Sequence, residues 1–121
     1  MSIKKILIVD DSPTDRHYLS ELLAKKGYSV VTAEDAEDGI AKAKVSKPDL
    51  ILMDVVMPGV NGFQATRTLT NDDATRHIPI ILVTSKNQET DRVWGMRQGA
   101  KDYVSKPVDE KELVAKVAAL A

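Results

Sequence analysis

The sequence predicts a doubly wound α/β domain: a sheet of five parallel strands, each followed by a helix. Three observations predict it. Short apolar runs alternate along the chain with longer amphipathic stretches, the pattern of successive βα units. Three of those runs are apolar at consecutive rather than alternate positions, as strands are when helices cover both faces of their sheet. Finally, 121 residues suit one domain with one core, and 43% hydrophobic with 29% charged residues is an ordinary globular composition, well away from that of disordered chains.

Ile6-Leu7-Ile8-Val9 is the first strand. Ser12 then supplies an N-cap, Pro13 the first helical position and Asp15 an acidic residue three after the cap, while Gly27 follows the lysines that end this helix. Leu19, Leu22 and Leu23 share its apolar face. Ser29-Val30-Val31-Thr32 is the second strand, and the helix at 35–46 places Ala36, Ile40 and Ala43 on one face. Leu50-Ile51-Leu52-Met53 is the third strand, followed by a helix at 62–71. Ile78 to Val83 reads as the fourth, followed by a helix at 88–98 whose apolar face is set by Val93, Met96 and Ala100, with Trp94 offset from it. Asp102-Tyr103-Val104 is the fifth, and Leu113, Val117 and Leu120 mark the core face of a last helix at 109–120. The first, third and fourth strands are the consecutively apolar ones and belong in the middle of the sheet. Right-handed crossovers leave few topologies to consider. With no internal repeat, low-complexity tract or linker, residues 1–121 read as a single domain with no output domain.

Composition excludes several functions. Seventeen basic and 18 acidic residues leave a net charge of -1, so no overall positive field is available to hold a nucleic-acid backbone or an anionic membrane. Without cysteine there is neither a disulfide framework nor a thiolate metal site. The first apolar run is too short and ends too acidic for a signal peptide or a membrane span, which points to a cytoplasmic protein without membrane insertion.

In doubly wound sheets, chemistry collects at the carboxyl ends of the strands, where the strand order reverses. Asp10 and Asp11 end the first strand and Asp54 ends the third, so strand polarity puts three carboxylates at one edge. Aspartates after strands commonly cap helices or make turns. That reading leaves unexplained why Asp10 and Asp11 are adjacent when Ser12 already caps, and why Asp54 follows four apolar residues. Two carboxylates about 4 Å apart repel by roughly 4 kcal/mol at an effective dielectric near 20, so three together call for a proton or a cation. Mg²⁺ takes oxygen ligands and typically uses one or two carboxylates plus a phosphate oxygen. Thr84 and Ser85 end the fourth strand and Lys106-Pro107 follows the fifth, adding hydroxyls and one positive charge; a cis Lys-Pro bond would let a tight turn aim that lysine inward. An ionised carboxylate attacks a phosphoryl group without a general base, and Asp54 fits this role. Catalysis is then positioning and charge neutralisation by Mg²⁺ and Lys106, with a hydrogen bond from Thr84.

Asp10-Asp11, Leu52-Met53-Asp54, Met57-Pro58-Gly59 with Gly62, Thr84-Ser85 and Lys106-Pro107 together resemble the response-regulator receiver family along the whole chain. The resemblance implies a flavodoxin-like (βα)5 sheet of order 2-1-3-4-5, for which a chemotaxis receiver is a known example. It implies Asp54 as phosphoacceptor, and Asp10, Asp11, Asp54 and the Val56 backbone carbonyl as ligands of Mg²⁺, with Mn²⁺ a possible substitute. Thr84 and Lys106 would contact the phosphoryl group, with Ser85, Lys86 and Pro107 accessory. It further implies a switch in which Thr84 moves toward the phosphoryl group and Tyr103 turns inward, remodelling the face made by the fourth helix, fifth strand and fifth helix. The implied partner is a sensor histidine kinase of the chemotaxis-kinase type, the implied state a monomer. The domain would be no enzyme, but an acceptor that assists its own phosphorylation and dephosphorylation. Asp54 through Arg67 and Gln88 through Gly95 are similar to the single-domain regulators of type IV pilus twitching motility. Trp94 then becomes a candidate partner contact.

Three other functions fit less well. A haloacid-dehalogenase-type phosphatase needs a second aspartate two residues after the nucleophile, where Val56 stands. A degenerate receiver would lack one of the five site positions. A nucleotide binder needs a phosphate-cradling loop after the first strand, where Asp10 and Asp11 would repel phosphate. Val56 and Lys86 stand at positions that tune kinetics. An apolar Val56 offers an attacking water no hydrogen bond, which predicts slow self-dephosphorylation.

Overall fold

The computed structural model describes residues 3–120. Its elements follow the expected alternation: β1 (Lys5–Val9), α1 (Pro13–Lys25), β2 (Ser29–Ala33), α2 (Ala36–Ser46), β3 (Leu50–Met53), α3 (Gly62–Asn71), β4 (Ile80–Thr84), α4 (Glu89–Arg97), β5 (Asp102–Ser105) and α5 (Glu110–Ala119). All neighbouring strands are parallel and the sheet order is β2-β1-β3-β4-β5, as expected. The consecutively apolar strands β1, β3 and β4 occupy the centre.

Alternation along each central strand divides the core into two layers. Ile6, Ile8, Leu50, Leu52, Ile81 and Val83 face α1 and α5, where they meet Leu19, Leu23, Leu113 and Val117. Leu7, Val9, Ile51, Met53, Ile80 and Leu82 face the α2, α3 and α4 side, with Ala36, Ala43, Phe63 and Leu69. Each fully buried aliphatic side chain contributes about 1.5–3 kcal/mol, so the sheet centre dominates stability.

Helix starts follow their caps. Ser12 accepts from the Asp15 N–H, Asp35 from the Asp38 N–H, and Asn61 and Gln64 form a reciprocal capping box. Both open edges of the sheet are covered by a helix lysine. Lys42 of α2 donates to the Thr32 carbonyl of β2 at 2.6 Å, and Lys116 of α5 donates to the Tyr103 carbonyl of β5 at 2.8 Å. Charges placed this way discourage strand addition at an edge.

Two expectations need correction. The fourth strand does not start at Ile78: the Ile78 N–H closes a turn onto Thr75, Pro79 has no N–H to give the ladder, and β4 begins at Ile80. Nor does α4 pack through Val93 and Met96, which are 43% and 42% exposed; of that expected face only Ala100, beyond the helix end, is buried. Gly95 faces inward instead, with Gln98 buried one turn on. A Cβ on Gly95 would stand 2.5 Å from Leu82 Cδ1 and 3.3 Å from Phe63 Cε1, so the missing side chain is what lets α4 approach the sheet.

Candidate functional site

Val9 lies opposite Met53 in the β1–β3 ladder, so the next residues, Asp10 and Asp54, emerge side by side at the carboxyl edge. The ladder is extended by the Asp54 N–H, which donates to the Val9 carbonyl at 2.9 Å, and by the Asp10 N–H, which donates to Ala33 at 3.1 Å. Asp10 and Asp54 are buried and Asp11 is exposed. One carboxylate oxygen from each of the three lies within 4.8 Å of the others. Gly62 closes this corner from below: its N–H donates to the Val55 carbonyl at 2.9 Å, and a Cβ there would collide with the Asp54 carbonyl oxygen at 2.0 Å.

Lys106 reaches the cluster from the loop after β5, and the Lys106–Pro107 peptide is cis. Its Nζ lies 2.7 Å from Asp10 Oδ2, 2.9 Å from Asp15 Oδ2 and 3.5 Å from Asp54 Oδ2. Backbone groups take the other oxygens: Ser12 N–H donates to Asp10 Oδ1 at 2.9 Å and Val55 N–H to Asp54 Oδ1 at 2.7 Å. Burial, and then the neighbouring Asp10 charge, push the Asp54 carboxyl above the usual carboxylate range, against the opposing pull of Lys106, the Val55 N–H and the Thr84 hydroxyl. Burial works to discharge Lys106, but the hydrogen bonds it donates to Asp10 and Asp15 and the charges of Asp54 and Asp10 outweigh it and raise its pKa. Lys106 is therefore a fixed positive charge.

One ammonium does not neutralise three clustered carboxylates, and the donor atoms are all hard oxygens. Asp10, Asp11 and Asp54 thus make an acidic pocket that suits a divalent metal. Val56 follows in the same loop, with its side chain 55% exposed. Thr84 ends β4 fully buried at this edge, and its hydroxyl accepts from the Lys86 N–H at 3.3 Å. Tyr103 is buried beneath α4, and its hydroxyl donates to the Lys86 carbonyl. Burial, helped by the Asp91 and Asp54 charges, pushes that phenol up to about 12. The Lys86 backbone is thereby tied through its N–H to Thr84 and through its carbonyl to Tyr103.

Not every expected residue joins the cluster. Ser85 and Pro107 are exposed, and the Lys86 ammonium turns to Asp91 of α4 at 3.6 Å. Trp94 is 49% exposed on α4, above a groove shared with Val56 and Phe63. Two contributors were not foreseen. Arg16 donates to the Asp10 carbonyl at 2.6 Å, and Asp15, expected only as a first-turn helix acid, binds Lys106 91 residues further on. A carboxylate three residues past an N-cap beside an acidic strand end was the visible signal for Asp15, but it pointed to the helix and not to the lysine.

A buried aspartate at a β3 end, flanked by two acidic residues from β1 and faced by a lysine from the loop after β5, is the arrangement of a signalling receiver. The response regulator receiver domain family matches residues 6–118, and the chain belongs to it. It is similar to the protein PilH of Pseudomonas aeruginosa, at 58% identity over 116 residues that cover 96% of each chain. Among solved structures it is similar to the chemotaxis protein CheY4 of Vibrio cholerae, with a TM-score of 0.92 and 29% identity over 99% of this chain and 100% of that one. A response regulator from Chloroflexus aurantiacus superposes equally well, with a TM-score of 0.93 and 29% identity over 98% of both chains. The expected family and sheet order therefore hold. Among the described residues, no helix is long and apolar enough to cross a membrane.

Proposed function

We propose that this chain is a stand-alone cytoplasmic response regulator in which Asp54 accepts a phosphoryl group from a histidine kinase of the chemotaxis type, in control of type IV pilus twitching motility or a related chemotaxis-like response. The supporting observation is the placement of the buried Asp54 carboxylate within reach of Lys106 and beside Asp10 and Asp11. In the transfer, an Asp54 carboxylate oxygen forms the new O–P bond as the phosphohistidine N–P bond breaks, and the bonding pair returns to the imidazole nitrogen. Lys106 faces the developing charge on the phosphoryl oxygens, and the Thr84 hydroxyl donates to one of them. Mg²⁺, or Mn²⁺ in its place, would be held by Asp10, Asp11, Asp54 and the Val56 carbonyl and would supply further charge compensation.

The same reading assigns the output. Rotation of Thr84 toward the phosphoryl group withdraws its acceptor from the Lys86 N–H and so frees the backbone whose carbonyl accepts from the Tyr103 hydroxyl. Phosphorylation shifts that equilibrium only as far as its contacts differ between the two states, and Thr84 is the differing contact. The message leaves through α4, β5 and α5 to a protein partner, with Trp94 as a contact, and the chain acts as a monomer.

Incubation with Mg²⁺ and a small-molecule phosphodonor, followed by mass spectrometry, should find a labile adduct on Asp54. Folded protein without that adduct would defeat the proposal. Val56→Asn should shorten the phosphoryl lifetime by giving the attacking water a hydrogen-bond partner; an unchanged lifetime would contradict the role given to Val56.

A further inference from the structure

We infer that Asp15 is a positioning residue: it restrains the Lys106 ammonium on the α1 side of the site, so that a phosphoryl group on Asp54 must compete with a carboxylate for its counter-charge. The inference rests on the phosphoacceptor reading of Asp54. An ammonium has three N–H donors. Two short contacts go to Asp10 at 2.7 Å and Asp15 at 2.9 Å, and Asp54 receives only the long one at 3.5 Å.

Asp15 differs from the other two carboxylates. Lys106 pairs with all three, but Asp10 and Asp54 each also hold a backbone N–H through Oδ1, whereas the Asp15 carboxylate accepts from Lys106 alone among the described residues. Asp15 also lies outside the group of carboxylates that can share a cation. A cation held by Asp10, Asp11 and Asp54 would offset their charge and leave that of Asp15 intact, so the hold of Asp15 on Lys106 would persist when the phosphoryl group arrives. Its backbone is fixed, since its N–H donates to the Ser12 hydroxyl at 3.2 Å, and its side chain is 41% exposed, close enough to solvent for Lys106 to leave it. Removing Asp15 both frees the ammonium and takes a negative charge from beside an anion site, and the two effects have the same sign.

The bland alternative is that Asp15 only stabilises the first turn of α1 through the helix dipole. Titration with beryllofluoride, an unreactive phosphoryl mimic, in Mg²⁺ and followed by calorimetry separates the two. Asp15→Asn should bind about fivefold tighter, the scale of one half-exposed ion pair, and Asp15→Glu should match the parent within about twofold. In a Lys106→Met background the Asp15→Asn gain should shrink to about twofold or less, the share left by removing a negative charge alone. An undiminished gain there, or no gain at all, overturns the inference. A second measurement needs no ligand: hydrogen exchange of the Lys106 ammonium, followed by NMR in metal-free protein, should accelerate in Asp15→Asn and recover in Asp15→Glu, and unchanged exchange again overturns it. A parent protein that takes up no beryllofluoride overturns the phosphoacceptor reading itself, and this inference with it.

Discussion

Helices α1 and α4 lie on opposite faces of the same sheet and are held to it in opposite ways. α1 buries Leu19, Leu22 and Leu23 against the β1, β3 and β4 side chains. α4 buries a glycine and leaves Val93, Trp94 and Met96 in solvent. One helix is fastened by apolar area; the other rests on a close approach at Gly95 and on polar ties through Asp91, Lys86 and Tyr103. Local stability follows buried apolar contact, so α4 is the element able to move at low cost. It is also the element whose leading loop touches the site, because the Lys86 backbone bonds to Thr84 and Tyr103 together. Proximity of a loosely held helix to a chargeable carboxylate is what a switch requires.

The contrast can be broken by substitution. Leu23→Ala, at a fully buried position, should cost about 2–5 kcal/mol in chemical denaturation, the range for leucine truncation in a core. Gly95→Ala gains helix propensity but drives a methyl group into Leu82; a net loss of about 1 kcal/mol is expected, with α4 displaced and the near-ultraviolet signal of Trp94 altered. A stabilised Gly95→Ala protein would show that α4 has slack against the sheet and would weaken the close-approach argument. Trp94→Ala should change stability by less than about 0.5 kcal/mol, despite removing the largest side chain of α4. A loss as large as that of Leu23→Ala would mean that Trp94 belongs to the core and not to an output surface.

The same contrast explains what could be read from the sequence. α1 was legible because its signals are local and apolar: the Ser12 cap, Pro13, and leucines at helical spacing. The centre of the sheet followed from consecutive apolar runs, its strand order from the family resemblance, and the Asp10, Asp11, Asp54 group from strand polarity alone. The inward face of α4 was misread because its stripe is Asp91, Gly95 and Gln98, which apolar periodicity does not register. Asp15 was given a helix role because its local position explained it fully, and no periodicity links it to Lys106 across 91 residues. The start of β4 was displaced because Ile78 is apolar and buried, like a strand residue, but precedes a proline that cannot donate to the ladder.

The central claim is that charge on Asp54 is transmitted to α4 and not to α1. Amide hydrogen exchange by mass spectrometry, with and without Mg²⁺ and a phosphodonor and with the Asp54 adduct quantified in the same sample, tests it directly. The account predicts altered exchange in residues 85–97 and no change in residues 16–25. Stoichiometric phosphorylation of Asp54 with α4 exchange unaltered would contradict it.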